Sequence, residues 1–338
     1  MISNPDIDGV LIQWGERLFY PPNRIVRAHT PRLHAPQDRA AWIRSRIEAT
    51  VRRAPQVMVK VTGGGRGMAA IAAHLRYITK NGRLDIEDDR GVVEHGKASL
   101  REIERQWQCG GARIEGEGHR REAFNNMLSM PRGTDPLTVQ RAAREFARAE
   151  FADHRYVMVL HEHQANPHVH LSVRAGSKHG QRLNPRKEDL RRWRETFAEK
   201  LRELGIEAEA SAQITRGGSR RTERLWHRKA RDQGRLLGPR EGEQAPVKLT
   251  RSRRDAAQAW CEIAKALASS DDIEDRRLGQ SIVNYAKWLP GVRYKPPQQQ
   301  AQRELPGVER GRGSPSAPRT QPARTQAQRA TPEPDRGR

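Results

Sequence analysis

An α+β fold with a central antiparallel sheet flanked by helices is predicted for this chain on three observations. Strand-like and helix-like patterns alternate along residues 55–206. The two clearest strand signals, "HRYVMVLHE" and "PHVHLSVRA", are joined by about five residues, too few for a parallel crossover and enough for a hairpin. The helical stretches carry a charged face opposite an apolar stripe, as helices layered on a sheet do.

The elements follow in order. Residues 1–54 form an N-terminal extension in which "APQDRAAWIRSRIEATVRR" sets Trp42, Ile43, Ile47 and Val51 at helical spacing. "QVMVKVT", residues 56–62, alternates β-branched residues and reads as a strand. "GGGRG" lacks the G-K-[ST] ending of a phosphate-binding loop and reads as a flexible turn. "MAAIAAHLRYITKNG" is an Ala-rich helix stopped at Gly82. "FNNMLSMPRG" is a strand ending at Pro131, and "DPLTVQRAAREFARAEF" a helix opened by Asp135-Pro136. "NPRKEDLRRWRETFAEKLRELG" closes the domain of residues 55–206 as a charged amphipathic helix ending at Gly205. A basic, Gly-broken linker is expected over 207–250 and a small helical module over 251–290. The tail, 291–338, is dominated by Pro, Gln, Arg, Gly, Ser and Thr. It cannot bury enough apolar surface to offset chain entropy, and disorder is predicted there.

Composition narrows the partners. Lys and Arg number 63 against 41 acidic residues, a formal charge of +22. Such an excess repels itself in a compact chain and suits a polyanion, with nucleic acid ahead of an anionic membrane surface. Two cysteines, Cys109 and Cys261, exclude a disulfide framework and a cysteine-based zinc finger and fit a reducing cytoplasm. The first twenty residues carry acids early and lack an apolar h-region, so no signal peptide is expected. No apolar run approaches the roughly twenty residues that span a bilayer, so no membrane insertion is expected.

Four of the twelve histidines fall within ten residues of "HEHQANPHVHLSVRA". Strand alternation puts His168, His170, Ser172 and Arg174 on one face and Val169, Leu171 and Val173 on the core face. A hairpin register pairing His161 with His168 or His170, with Asn166-Pro167 shaping the turn, brings three imidazoles together as a facial site for a divalent metal. Val157 and Val159 would share that face, so something must cover them. His163 falls in the turn. Three neutral imidazoles leave the ion its full charge, which suits a phosphodiester; no H-E-x-x-H zinc-protease pattern is present. Phosphoryl transfer then needs a nucleophile. In the helix above, Met68, Ile71, Ala72, Leu75 and Ile78 form the apolar stripe, and Tyr77 lies roughly 150° from its centre. Its phenol is free to face a cleft, with Arg76 and Lys80 nearby to attract phosphate.

"HLRYITKNGRL", "MLSMPRGTDPLTV" and "HEHQANPHVHLSV" stand in the order and rough spacing found in conjugative relaxases. Over residues 55–205 the chain resembles that plasmid mobilisation nuclease family, and its P-type branch in particular, which includes endonucleases that nick transferred-DNA borders. The resemblance implies that Tyr77 matches the catalytic tyrosine and His161, His168 and His170 the metal-binding histidines, with Mg²⁺ or Mn²⁺ as the working ion. It further implies a reversible transesterification on single-stranded DNA at an origin of transfer, leaving a 5′-phosphotyrosyl link and a free 3′-OH. Relaxosome accessory proteins and a type IV secretion coupling protein would be the partners, and the cytoplasm the compartment. Many relatives carry an acidic residue two positions after the first motif histidine; here that position is His163. Glu162, His163 and Glu87 are therefore candidates for a base or for orienting a ligand. Arg76, Lys80, Arg174 and Arg186 are candidate DNA contacts, and Trp193 and Trp226 candidate stacking platforms, core packing being the rival role of each tryptophan. A rolling-circle replication initiator or related transposase is the alternative enzyme, although those typically place the tyrosine after the histidines. A non-catalytic DNA-binding protein is the alternative from another class.

Overall fold

A computed structural model of the chain describes residues 6–20, 36–162, 165–217, 233–234, 250–287 and 289. Among them lie six strands in one sheet and eight helices, an α+β architecture. In chain order the elements are α1 Ile7–Phe19, α2 Pro36–Val51, β1 Met58–Gly63, α3 Met68–Ile78, β2 Ile86–Asp88, β3 Val93–Glu94, α4 Gly96–Cys109, β4 Ala123–Ser129, α5 Pro136–Phe151, β5 His154–His161, β6 His168–Ser177, α6 Lys187–Glu203, α7 Arg251–Ala268 and α8 Ile273–Ala286. The expected tail, Trp226, His163 and most of the expected linker lie outside the described residues.

Strand order is β1-β4-β6-β5-β2-β3, and every neighbouring pair is antiparallel. The long β4, β5 and β6 form the centre, with Leu128, Val169 and Leu160 opposite one another across the three strands. Side-chain alternation divides the sheet into two faces. On one, Leu128, Tyr156, Met158, Val169, Leu171 and Val173 pack against α5 and α6 through Val139, Phe146, Trp193 and Phe197. The rings of Phe146, Phe151, Phe197 and Trp193 meet edge to face, 5.1–6.1 Å between centroids, a geometry that aligns ring edges with π-faces. Trp193 is thus a core anchor and not a stacking platform. Asp135 caps α5 by accepting from the Thr138 N–H, and Pro136 follows in the first turn, where its missing donor costs nothing.

On the other face Val157 and Val159 of β5 and Ala123 of β4 are covered by α3 and α4 through Ile71, Leu75, Ile78, Leu100, Ile103 and Trp107. This answers the question of what covers the two valines. Beyond α3 the cover ends: Met58 and Lys60, on the same face by register with Ser129 and Met127, are exposed on the edge strand β1.

The "GGGRG" turn is built by backbone. The Met68 and Ala69 N–H groups of α3 donate to the Glu115 and Gly116 carbonyls, so no phosphate cradle is left open there. Gly67 has φ of 102°, and a Cβ there would meet the Gly116 carbonyl at 2.6 Å, so only glycine fits. At the far end α3 unwinds through Lys80, Asn81 and Gly82, all with positive φ, and the Thr79 hydroxyl accepts from the Gly82 N–H.

A second core unites both ends of the described chain. Leu11, Leu18 and Phe19 of α1 and Ile43 and Ile47 of α2 pack with Trp260, Ile263 and Leu267 of α7 and Ile282 and Tyr285 of α8. Residues 207–217 run between the two cores. Glu209 pairs with Gln56 beside β1, the Thr215 hydroxyl donates to the Leu18 carbonyl, and Trp260 Nε1 donates to the Thr215 carbonyl. The buried Arg46 of α2 crosses the same seam, reaching Glu195 of α6 and Glu209.

Candidate active site

The site starts from a pairing register. His161 of β5 stands opposite His168 of β6, and Val159 opposite His170, which sets all three imidazoles on the face covered by α3. Their ring centroids are 4.5–5.1 Å apart. One ring nitrogen from each lies within 4.8 Å of the others. His161 and His168 are buried, each 5% exposed.

The hydrogen bonds of these rings orient them. His161 Nε2 donates to the Ile78 carbonyl at 2.6 Å, so Nδ1 carries the lone pair. His168 Nδ1 donates to the Asn166 carbonyl at 3.0 Å, which leaves the lone pair on Nε2. That carbonyl comes from the Asn166-Pro167 turn, and the Pro167 carbonyl accepts from the Met130 N–H, anchoring the turn to the end of β4. His170 Nδ1 is buried and has no hydrogen-bond partner. Burial, followed by the neighbouring histidines, pushes the His170 pKa down to about 3, so the ring is neutral. Three convergent imidazoles, two held by backbone carbonyls and one with an orphaned nitrogen, fit a divalent ion.

The helix α3 brings Tyr77 to the site. The His161–Ile78 hydrogen bond ties the end of that helix to the triad, one residue after the tyrosine. Tyr77 is 72% exposed, while Leu75 and Ile78 on either side are buried in the core. One helical turn earlier stands His74, half buried and with its pKa lowered by burial. Its ring centroid lies 6.4 Å from Tyr77 and 6.4 Å from His170. Sequence reasoning passed over His74. The i, i+3 spacing in "HLRY" was the available signal, since residues three apart share a helix face.

Other expected site residues fall elsewhere. Glu87 pairs in register with Met158 and so lies on the sheet face away from the histidines. There it is buried and held by both Arg144 Nε and Arg144 Nη2, so it is not positioned as a base for this site. Glu162 is exposed just beyond β5, and His163 lies outside the described residues. Arg174 shares the histidine face but is buried, and its guanidinium donates to the Gly110 and Ala112 carbonyls. It holds the loop after α4 and does not offer an open phosphate contact, which corrects its assignment as a DNA-contacting residue. Arg76 stays about half exposed while paired with Glu104, and Lys80 and Arg186 are exposed. Lys60, on the uncovered half of the histidine face, is a cation that sequence reasoning did not single out. No helix among the described residues is long and apolar enough to cross a membrane.

Comparison with known proteins agrees with this geometry. Residues 77–206 match the family model described as relaxase, MobA/VirD2-like, nuclease domain. The match runs from Tyr77 through the histidine hairpin to the end of the α6 segment. No curated protein and no solved structure matches the chain. The similarity to a relaxase nuclease domain thus lies in residues 77–206, the segment that carries Tyr77 and the histidine hairpin, and points to DNA nicking in general.

Proposed function

We propose that this protein is a metal-dependent relaxase that nicks one DNA strand at an origin of transfer, with Tyr77 as nucleophile, for plasmid conjugation or mobilisation. The observation that carries the reading is the convergence of His161, His168 and His170 beside the helix bearing the exposed Tyr77, joined to it by the His161–Ile78 hydrogen bond.

In this reading the Tyr77 phenol oxygen attacks the scissile phosphorus. The new P–O bond to the tyrosine forms as the P–O3′ bond breaks, and the proton lost from the phenol is balanced by one gained at the 3′ oxygen. The strand's 5′ end is then held as a phosphotyrosyl ester, an activated bond that the free 3′-OH can attack to rejoin the strand. His161, His168 and His170 would hold Mg²⁺ or Mn²⁺, which supplies charge neutralisation at a non-bridging phosphate oxygen. The Ile78 and Asn166 carbonyls fix ring orientation, so that donors converge before the ion arrives. Single-stranded DNA would lie over the uncovered half of the sheet, where Lys60, Arg76 and Lys80 meet phosphates. The enzyme would act in the cytoplasm with relaxosome accessory proteins and pass with the strand to a type IV secretion coupling protein.

The test is a denaturing gel of protein incubated with single-stranded DNA from the region flanking its own gene. With Mn²⁺ the wild type should give a covalent adduct that disappears with chelator and with Tyr77→Phe. No adduct from the wild type would sink the enzyme reading, and an adduct from Tyr77→Phe would sink the choice of nucleophile.

A further inference from the structure

We infer that His74 is a further catalytic residue, donating a hydrogen bond to the scissile phosphate between Tyr77 and the histidine triad. The inference rests on the strand-transfer reading above.

A phosphodiester attacked by Tyr77 while one of its oxygens faces the triad must sit between the two, and the His74 ring neighbours both, 6.4 Å from each by ring centroid. His74 shares a helix face with Tyr77 at i, i+3, so α3 presents nucleophile and donor together. It is not a fourth member of the metal set: the nitrogens that converge within 4.8 Å come from His161, His168 and His170 alone among the described residues. Nor is it a core residue, because the stripe of α3 that packs inward is Met68, Ile71, Ala72, Leu75 and Ile78. The ring is half buried. An imidazole carries at least one N–H whatever its protonation state, so donation to phosphate needs no titration. As charge builds on the non-bridging oxygens during attack, a donor fixed on a helix stabilises that charge without reorganising. The Tyr77–phosphorus bond still forms as the P–O3′ bond breaks, and His74 neither gains nor loses a proton overall.

The test compares wild type, His74→Ala and His74→Gln in single-turnover cleavage, with Mn²⁺, of an oligonucleotide carrying the nick site mapped with the wild type. Affinity for that oligonucleotide and for Mn²⁺ alone is measured in parallel. His74→Ala should cleave about 100-fold more slowly, the scale of losing one donor to a developing oxyanion. It should keep wild-type affinity for DNA and for Mn²⁺, and His74→Gln, which retains an N–H donor, should recover part of the rate. Cleavage by His74→Ala at the wild-type rate overturns the role. So does loss of Mn²⁺ affinity matching that of His168→Ala, which would make His74 a ligand. So does a His74→Gln no faster than a folded His74→Ala. A wild type that makes no adduct is a different failure, since it overturns the strand-transfer reading itself.

Discussion

Replacing Arg46 with alanine should destabilise the whole described fold, because that one guanidinium joins its two cores. Arg46 sits on α2 and is 5% exposed. Its Nη2 donates to Glu209 Oε1 at 2.5 Å, and its Nη1 to Glu195 Oε1 and the Tyr20 hydroxyl, each at 2.9 Å. Phe19 and Trp42 stack on its faces at 4.5 and 4.9 Å. Truncation leaves the Glu209 carboxylate, 2% exposed, without its counter-charge. Breaking a buried pair by removing one partner costs about 3–5 kcal/mol. Lost cation–π contact adds about 1 kcal/mol. A total of roughly 4–6 kcal/mol is a large part of the ~5–15 kcal/mol that ordinary domains hold. Urea denaturation followed by circular dichroism and tryptophan fluorescence reads this directly, since Trp193 reports on the sheet core and Trp42 and Trp260 on the helical core. Arg46→Met combined with Glu209→Leu removes both charges and should recover much of the loss. A loss below about 1 kcal/mol, the range of an exposed pair, would refute the reasoning. So would a double variant no better than Arg46→Ala.

Arg174→Ala should cost about 3 kcal/mol, two charge-assisted, part-buried hydrogen bonds at about 1.5 kcal/mol each. The salt dependence of DNA binding should keep its slope, whereas an Arg174–phosphate contact would lower the slope by about one. Glu195 is the acid whose pKa is raised, first by burial and against the opposing pull of Arg46. A raised carboxyl stabilises the fold fully below its unfolded pKa of about 4.3 and loses that contribution as pH climbs through the folded value. The stability of Glu195→Gln should therefore improve relative to wild type as pH rises from about 4 to 7, read by urea midpoints, and a flat difference would contradict it. His168→Ala should bind Mn²⁺ more weakly by calorimetry and lose cleavage while keeping salt-sensitive DNA affinity. Unchanged Mn²⁺ affinity would remove the histidines from the metal site.

The central strands were legible because β6 alternates polar and apolar residues, β5 is a short apolar, β-branched run, and the short link between them permits little but a hairpin. That link also made the triad legible: once β5 and β6 pair in a hairpin, register alone sets His161 beside His168. The short strands β2 and β3 were not legible, since they exist through pairing with β5 and with each other and have no pattern of their own. The helix α4 carried a readable stripe in Leu100, Ile103 and Trp107 that went unassigned. Faces fared worse than elements. Alternation placed Arg174 with the histidines but said nothing of the Gly110 and Ala112 carbonyls that consume it, because a loop 62 to 64 residues earlier in the sequence supplies them. Glu87 looked available for the same reason: the sheet face a short edge strand presents is decided by its register with Met158, which no local pattern encodes. The apolar stripes of α1, α2, α7 and α8 likewise name no partner, and their shared core emerges only in three dimensions.

The bond between Tyr77 and the nicked strand is measured by mapping the covalent adduct. After reaction with Mn²⁺ and a single-stranded oligonucleotide that the protein nicks, trypsin should release Tyr77–Lys80, because Arg76 and Lys80 flank and close that peptide. Mass spectrometry should then find the 5′-phosphoryl DNA fragment on Tyr77, with a free 3′-OH on the released strand. The same fragment on another residue, Tyr285 or Tyr294 for instance, or cleavage that leaves no protein–DNA bond, would contradict the account.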